Sequence, residues 1–242
     1  APVTGAGLLV TYLAAALSGL TIIQLKRRGA AVCLGGVPEP MDLRTARPAY
    51  GGPEMSLYSA AMADISRYLG IPMMGTAGAS EAKVLDLQAA IESTFQVVLS
   101  GLSGATLVHD VGFLDCAEIG SLDMLVMTDE IIAMTRRMLR GIEVSDETLM
   151  LDLIDAVGPG GEFMSNEDTA RRCRAEIWMP RLMDRAVWMN WEAAGSLTML
   201  DRVRAEVRRI LDTHRPPPLP AGAAQRIEAI LTAAERRHTL TS

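Results

Sequence analysis

Gly75, Gly78, Ser80 and Glu81 cluster at the end of an apolar run, IPMMGTAGASEAKV from Ile71 to Val84. Glycines there let a ligand approach the backbone closely, because no Cβ stands in the way. The same glycines also suit an ordinary tight connection that only has to turn. A second grouping follows the apolar stretch Ala105–Val108, where His109, Asp110, Gly112, Asp115 and Glu118 crowd one loop. An imidazole beside carboxylates can do acid/base work or position a cation. Alternatively, His109 caps the loop and the acids face solvent. Asp42, Arg44 and Arg47 lie in a proline-rich loop from Val37 to Gly52, where they either reach a binding mouth or are solvated. Cys33, Cys116 and Cys173 are odd in number and widely spaced, without metal-ligand spacing. No metal site is expected, and the thiols suit a reducing cytoplasm.

Positioning these groups requires strands that end in loops, and the pattern supplies them. Ala30–Gly36, the run ending at Gly75 and Ala105–Val108 read as buried strands separated by helices. Pro53 and Glu54 open a helix with Leu57, Ala61, Ile65 and Leu69 on its core face, and Gly70 stops it. A helix from about Glu81 to Leu99 is expected to bury Val84, Leu87, Ile91, Phe95 and Val98. Ser121–Arg140 forms the next helix, and Ser145 and Ser165 read as caps of helices ending near Val157 and Ile177. Further helices are expected from about Thr198 to Thr213 and from Ala221 to Arg237, with Trp178, Trp188 and Trp191 packing a core or an interface.

Strands alternating with helices predict a parallel α/β unit whose loops converge at one end. The reading is part of a TIM (β/α)8 barrel, residues 1–140, followed by a helical carboxy-terminal region, residues 141–242. Three strands cannot close such a barrel, so the chain is expected to need a partner or another copy. Its 242 residues are 49% hydrophobic and 21% charged, a globular profile. A net charge of −6 and 4% aromatic residues argue against nucleic acid as a partner. Gly7–Leu25 is an uncharged run of nineteen residues followed by Lys26, Arg27 and Arg28, long enough for a membrane span. Thr11, Tyr12, Ser18, Thr21 and Gln24 interrupt its apolar character, which argues against a membrane span. Ala1 suggests a piece of a longer or processed chain.

Gly78–Val84, GASEAKV, resembles the segment of the trimethylamine methyltransferase family that holds pyrrolysine in archaeal members, with Ala79 at the pyrrolysine position. The similarity continues through ALSGLTIIQL (Ala16–Leu25), GGPE (Gly51–Glu54), TDEI (Thr128–Ile131), RGIEVSDETL (Arg140–Leu149), VGPGGEF (Val157–Phe163) and WEAAGS (Trp191–Ser196). Family members are longer, and the chain resembles their carboxy-terminal half. The resemblance implies methyl transfer from a methylated amine to the Co(I) of a corrinoid carried by a separate protein, with no cofactor bound tightly by this chain.

Ala79 cannot form an adduct, which points to the pyrrolysine-free branch and a quaternary amine such as glycine betaine. Gly75, Gly78, Ser80, Glu81, His109, Asp110 and Asp115 are substrate-binding candidates, and Arg44 a partner for a betaine carboxylate. Asp123, Met124 and Thr128 depart from a Glu-Gln pair and a later Asp in many relatives. A cytoplasmic homo-oligomer is expected. The competing readings are an inactive assembly subunit, a membrane-anchored helical module using Gly7–Leu25, and an aldolase-like lyase, which would want a strand-end lysine that Lys83 does not supply.

Overall fold

The computed structural model describes residues 1–239. The elements in chain order are α1 (Gly5–Lys26), β1 (Leu34–Gly35), β2 (Met41–Asp42), β3 (Arg47–Pro48), α2 (Pro53–Leu69), β4 (Met73–Thr76) and α3 (Leu87–Ser103). They continue with β5 (Leu107–His109), β6 (Phe113–Leu114), β7 (Ile119–Gly120), α4 (Leu122–Leu139), α5 (Asp146–Leu149) and α6 (Leu151–Val157). The last are α7 (Glu167–Glu176), α8 (Trp188–Ala193), α9 (Met199–Thr213) and α10 (Ala223–Thr239). Two compact units are present, residues 1–207 and residues 208–242.

Three parallel strands in the order β1-β4-β5 form the central sheet of the first unit. Leu34 pairs with Met73, Met74 with Leu107 and Thr76 with His109. The strand-helix alternation is thus an α/β arrangement with a small parallel sheet. Local chemistry sets the helix ends. Pro53 opens α2 where an N–H would have no partner, and Gly70 ends it in the left-handed region at φ 67°. Asp86 accepts from the Ala89 N–H at the start of α3, and Ser121 accepts from the Met124 N–H at the start of α4.

Several expectations are corrected. The strand read as Ala30–Gly36 pairs only at Leu34–Gly35. Helix α3 begins at Leu87, six residues beyond Glu81, where Asp86 takes extended backbone and caps the helix by accepting from the Ala89 N–H. Residues 146–157 form two short helices, broken where Met150 takes φ 51°. The helix read as capped by Ser165 has Asn166 as its cap.

The larger correction concerns which faces are buried. α3 buries Ala89, Ser93, Gln96, Val97 and Ser100, while Leu87 is 82% and Ile91 69% exposed, and Val84 and Phe95 are exposed as well. α2 likewise buries Met55, Ser59, Met62 and Ser66 and turns Leu57 to solvent. Small residues let α2 and α3 approach closely, and the buried polar groups of α3, Ser93 and Gln96, find partners on the inner side.

One side of α1 rests on the body through Leu9 and Tyr12, which pack against Met62, Ala63 and Met73. Gln24 accepts from the Gly29 N–H and donates to the Ala30 carbonyl, both at 2.8 Å, closing the turn after the helix. By length and composition α1 is able to cross a membrane, and none of its residues is fully buried.

The main core gathers Ala77, Ala82, Val97, Met124, Met127, Ile131, Leu182 and Val203. Leu182 reaches it through a buried carboxylate on α4. Glu130 is fully buried, and its Oε1 accepts from the backbone N–H groups of Arg181, Leu182 and Met183 at 2.8, 2.9 and 3.4 Å. The Arg181 guanidinium lies 3.5 Å from Oε2. Removing the carboxylate strands three backbone amides, while the exposed Arg181 guanidinium keeps Asp129, so Glu130→Ala is expected to cost about 3 kcal/mol of stability. Urea unfolding checks it, and an unchanged midpoint would mean that residues 181–183 find other partners.

Candidate active site at the strand ends

Strand β4 delivers a buried loop, Ala77–Ala82, whose amides all find partners within the chain. Ala77 N–H donates to the His109 carbonyl at 3.1 Å and Ser80 N–H to the Phe113 carbonyl at 3.0 Å. Gln96 Oε1 accepts from Gly78 N–H at 3.0 Å and Ala79 N–H at 3.3 Å. Glu92 Oε2 accepts from Glu81 N–H at 2.8 Å and from the Ser80 hydroxyl at 2.6 Å, and Ser80 Oγ accepts from Ala82 N–H at 2.9 Å. The polar face of α3 therefore does for this loop what a neighbouring strand does for a strand. Gly78 is required at its bend, with φ 90° and a Cβ position 3.0 Å from Thr128 Cγ2.

Two hairpins close over the loop. The β6–β7 turn lays the Asp115 N–H on the Ala82 carbonyl at 2.9 Å and the Cys116 N–H on the Ser80 carbonyl at 3.1 Å. Asp115, Cys116 and Ala117 take φ values of 49°, 56° and 68°, and Asp110 takes 73°. Left-handed non-glycine residues in succession store strain, which concentrates at functional sites. From the β2–β3 side comes Tyr50, which buries its ring with Met55 and Ala79.

A polar chain crosses the carboxyl ends of the sheet. The Tyr50 hydroxyl donates to Asp110 Oδ2, Asp110 Oδ1 lies 2.6 Å from His109 Nδ1, and His109 Nε2 lies 3.3 Å from the Thr76 hydroxyl. Burial first, and then the bond to Asp110, pushes the Tyr50 phenol well above its usual range. Glu39, just past β1, is also pushed up, by burial and by repulsion from Asp110. Two carboxyl groups, Glu39 and Asp110, therefore lie close to one another beside a buried phenol. Burial likewise raises the Cys116 thiol, which packs against the Ala79 cluster.

The residues anticipated from sequence divide among three places. His109 and Asp110 meet in the polar chain. Gly75, Gly78, Ala79 and Ser80 form the strand end and loop, with Ala79 at 0% exposure. Glu81 accepts from the Gly51 N–H at 2.9 Å, while Asp115 holds Arg47 and Lys83, each at 3.2 Å. Arg44 is engaged with Asp42 on the exposed β2–β3 hairpin, and that guanidinium holds the Asp42 carboxyl down at about 2. Lys83 donates to the Glu81 carbonyl and lies off the strands. Of the positions that depart from the relatives, Met124 and Thr128 are fully buried, the Thr128 hydroxyl bonding the Met124 carbonyl at 2.8 Å, and Asp123 lies 3.6 Å from Arg204.

Glu39, Tyr50, Glu92 and Gln96 were not anticipated. A signal was present for two of them. Glu92 and Gln96 stand four apart in a helix otherwise read by its apolar stripe, and that spacing puts them on one face. Nothing local marks Glu39 or Tyr50, which reach the site only through the path of the loop between β1 and α2.

Fold and site together define an α/β chain that gathers an acid-rich polar cluster at the carboxyl ends of parallel strands, where such folds place their ligands. The family described as trimethylamine methyltransferase (MTTB) matches residues 1–239, and the chain belongs to it. It is 34% identical over 235 residues to trimethylamine methyltransferase MttB of Methanosarcina barkeri, covering 97% of this chain and 47% of that protein. Trimethylamine methyltransferase MttB of Desulfitobacterium hafniense is 32% identical over 233 residues, 96% of this chain and 47% of that protein. A glycine betaine methyltransferase of Desulfitobacterium hafniense is 29% identical over 231 residues, 95% of this chain and 48% of that protein. The chain thus spans about half the length of the relatives it matches.

The raised Tyr50 phenol sets a pH dependence. Folding favours the protonated phenol, so its stabilisation is complete below the ordinary tyrosine value of 10.0 and is lost as pH rises from there toward the raised folded value. Urea midpoints are expected to fall above pH 10 and to fall less in Tyr50→Phe. Parallel declines in both proteins would show that Tyr50 contributes none of it.

Proposed function

We propose that this chain works within a corrinoid-dependent methyltransferase that takes a methyl group from a quaternary amine of the glycine betaine type. The observation that carries this reading is the acid-rich cluster of Glu39, Asp110 and Tyr50 at the strand ends, adjoining the Ala79 loop. A quaternary nitrogen is a permanent cation without N–H groups, so carboxylates and the oxygen of a buried phenol suit it better than hydrogen-bond partners would. Membership of a family with trimethylamine and glycine betaine methyltransferases among its relatives supports the class.

The chemistry asks for alignment more than for acid or base. The N–CH3 bond breaks, its electron pair stays on nitrogen to give a neutral tertiary amine, and Co(I) of the partner corrinoid protein supplies the pair for the new Co–CH3 bond. No proton moves. The chain's contribution is to hold N, CH3 and the incoming cobalt in line, with water excluded. Arg44, anticipated as the partner of a betaine carboxylate, is paired with Asp42, as Arg47 and Lys83 are with Asp115.

The sheet supports a place in a larger TIM barrel. β1 and β5 are edge strands of a three-stranded parallel sheet, and Leu107 and Val108 on β5 are exposed. Parallel sheets are covered on both faces in complete folds. Further strands of the same protein would pair with these edges, and a second copy would cover the exposed α3 residues in a cytoplasmic homo-oligomer. One observation favours the assembly-subunit reading instead: Ala79 is sealed by Tyr50 and Met55, so no substrate touches it in this arrangement.

A cobalt assay separates the two readings. The full-length protein is mixed with reduced corrinoid protein and single amines while Co(I) absorption is followed. Loss of Co(I) is expected with one betaine and not with trimethylamine. Asp110→Asn is expected to raise KM for that betaine about tenfold with kcat little changed, the pattern of lost substrate binding. Binding of the corrinoid protein without methyl transfer from any amine would favour the assembly role.

A further inference from the structure

We propose that Gln96 is a positioning residue that locks the Ala79 loop and the Tyr50–Asp110 pair into one register; the kinetic part of this inference rests on the methyltransfer reading above. Gln96 sits in the middle of α3, and almost none of its surface is exposed. Its Oε1 accepts from Gly78 N–H and Ala79 N–H, and its Nε2 donates to the Tyr50 carbonyl at 2.9 Å. One amide therefore joins three separate segments: the loop after β4, helix α3 and the residue whose hydroxyl reaches Asp110.

The chemistry of the amide is what the position requires. Two backbone donors converge on one end and one backbone acceptor meets the other, so the side chain must present an acceptor and a donor a fixed distance apart without carrying charge. Asparagine is shorter, glutamate offers no donor when ionised, and an apolar residue leaves all three backbone groups unpartnered in the interior. Gly78 is closely lined by Thr128 and Val111, which a Cβ there would meet at 3.0 and 3.2 Å. Tyr50 is held at its backbone by Gln96 and at its hydroxyl by Asp110, which leaves its ring one orientation over Ala79.

Two substitutions separate the two ends of the amide. Gln96→Glu keeps an acceptor for Gly78 and Ala79 but sets an oxygen against the Tyr50 carbonyl, while Gln96→Leu removes every bond. In the full-length protein, Gln96→Glu is expected to lower betaine kcat/KM about 100-fold, the scale for a small misplacement of a reacting group. Tyr50→Phe acts on the same element, so the double variant should be no slower than the slower single variant. Multiplying losses, or a lower melting temperature with kcat/KM unchanged in Gln96→Glu, would overturn the positioning role.

Should the unaltered protein transfer methyl from no amine, the function proposed above fails and amide exchange still decides the role of Gln96. Gly78 and Ala79 are expected to exchange about 100-fold faster in Gln96→Leu and near the unaltered rate in Gln96→Glu. Equal protection in all three proteins would show that the amide holds nothing.

Discussion

The inner face of α3 carries the interaction on which the site depends. Glu92 and Gln96 between them bond the amides of Gly78, Ala79 and Glu81 and the Ser80 hydroxyl. A buried loop without such partners would leave its backbone polar groups unpaired at a cost of about 1–3 kcal/mol each. Because the loop is short of neighbouring strands, the helix supplies side chains where a sheet would supply carbonyls. Everything above the loop then follows from where it lies: the β6–β7 turn has carbonyls to bond, and Tyr50 has a small residue, Ala79, to cover.

That arrangement determines how α3 is rotated. Turning the helix by half a turn to bury Leu87, Ile91 and Phe95 would place Glu92 and Gln96 in solvent and strip the loop of its partners. Burial of a leucine side chain is worth about 1.5–3 kcal/mol, comparable with each stranded polar group. The four polar groups that Glu92 and Gln96 satisfy are thus of the same order as the three apolar side chains of the stripe. The stripe is left outward, with Leu87, Ile91 and Phe95 exposed.

Strain and charge meet on the other side of the loop. Asp110 adopts φ 73° and presents its carboxylate to Tyr50 and His109 together. The left-handed backbone lets two successive residues, His109 and Asp110, face the same chain of bonds, which extended residues with alternating directions would not do. Beside them, partial burial and repulsion from Asp110 push the Glu39 carboxyl up.

Much of the local architecture was legible in the residues. Pro53 and Gly70 bounded α2, Ser121 began α4, and the run from Ile71 ended in the glycine loop where β4 ends. His109 and Asp110 also stand at a strand end, and GASEAKV marked the family. These features depend on bonds between residues a few positions apart, so the sequence by itself determined them. Which face of α2 or α3 lies inward, the union of Glu39, Tyr50 and Asp110, and the clamp of Gln96 on Tyr50 were decided only by tertiary structure. Tyr50 and Gln96 are 46 residues apart, and Tyr50 and Asp110 are 60 apart. Periodicity ranks side chains by hydrophobicity, but a buried backbone amide selects its partner by geometry, and that geometry exists only once the sheet has brought the loops together.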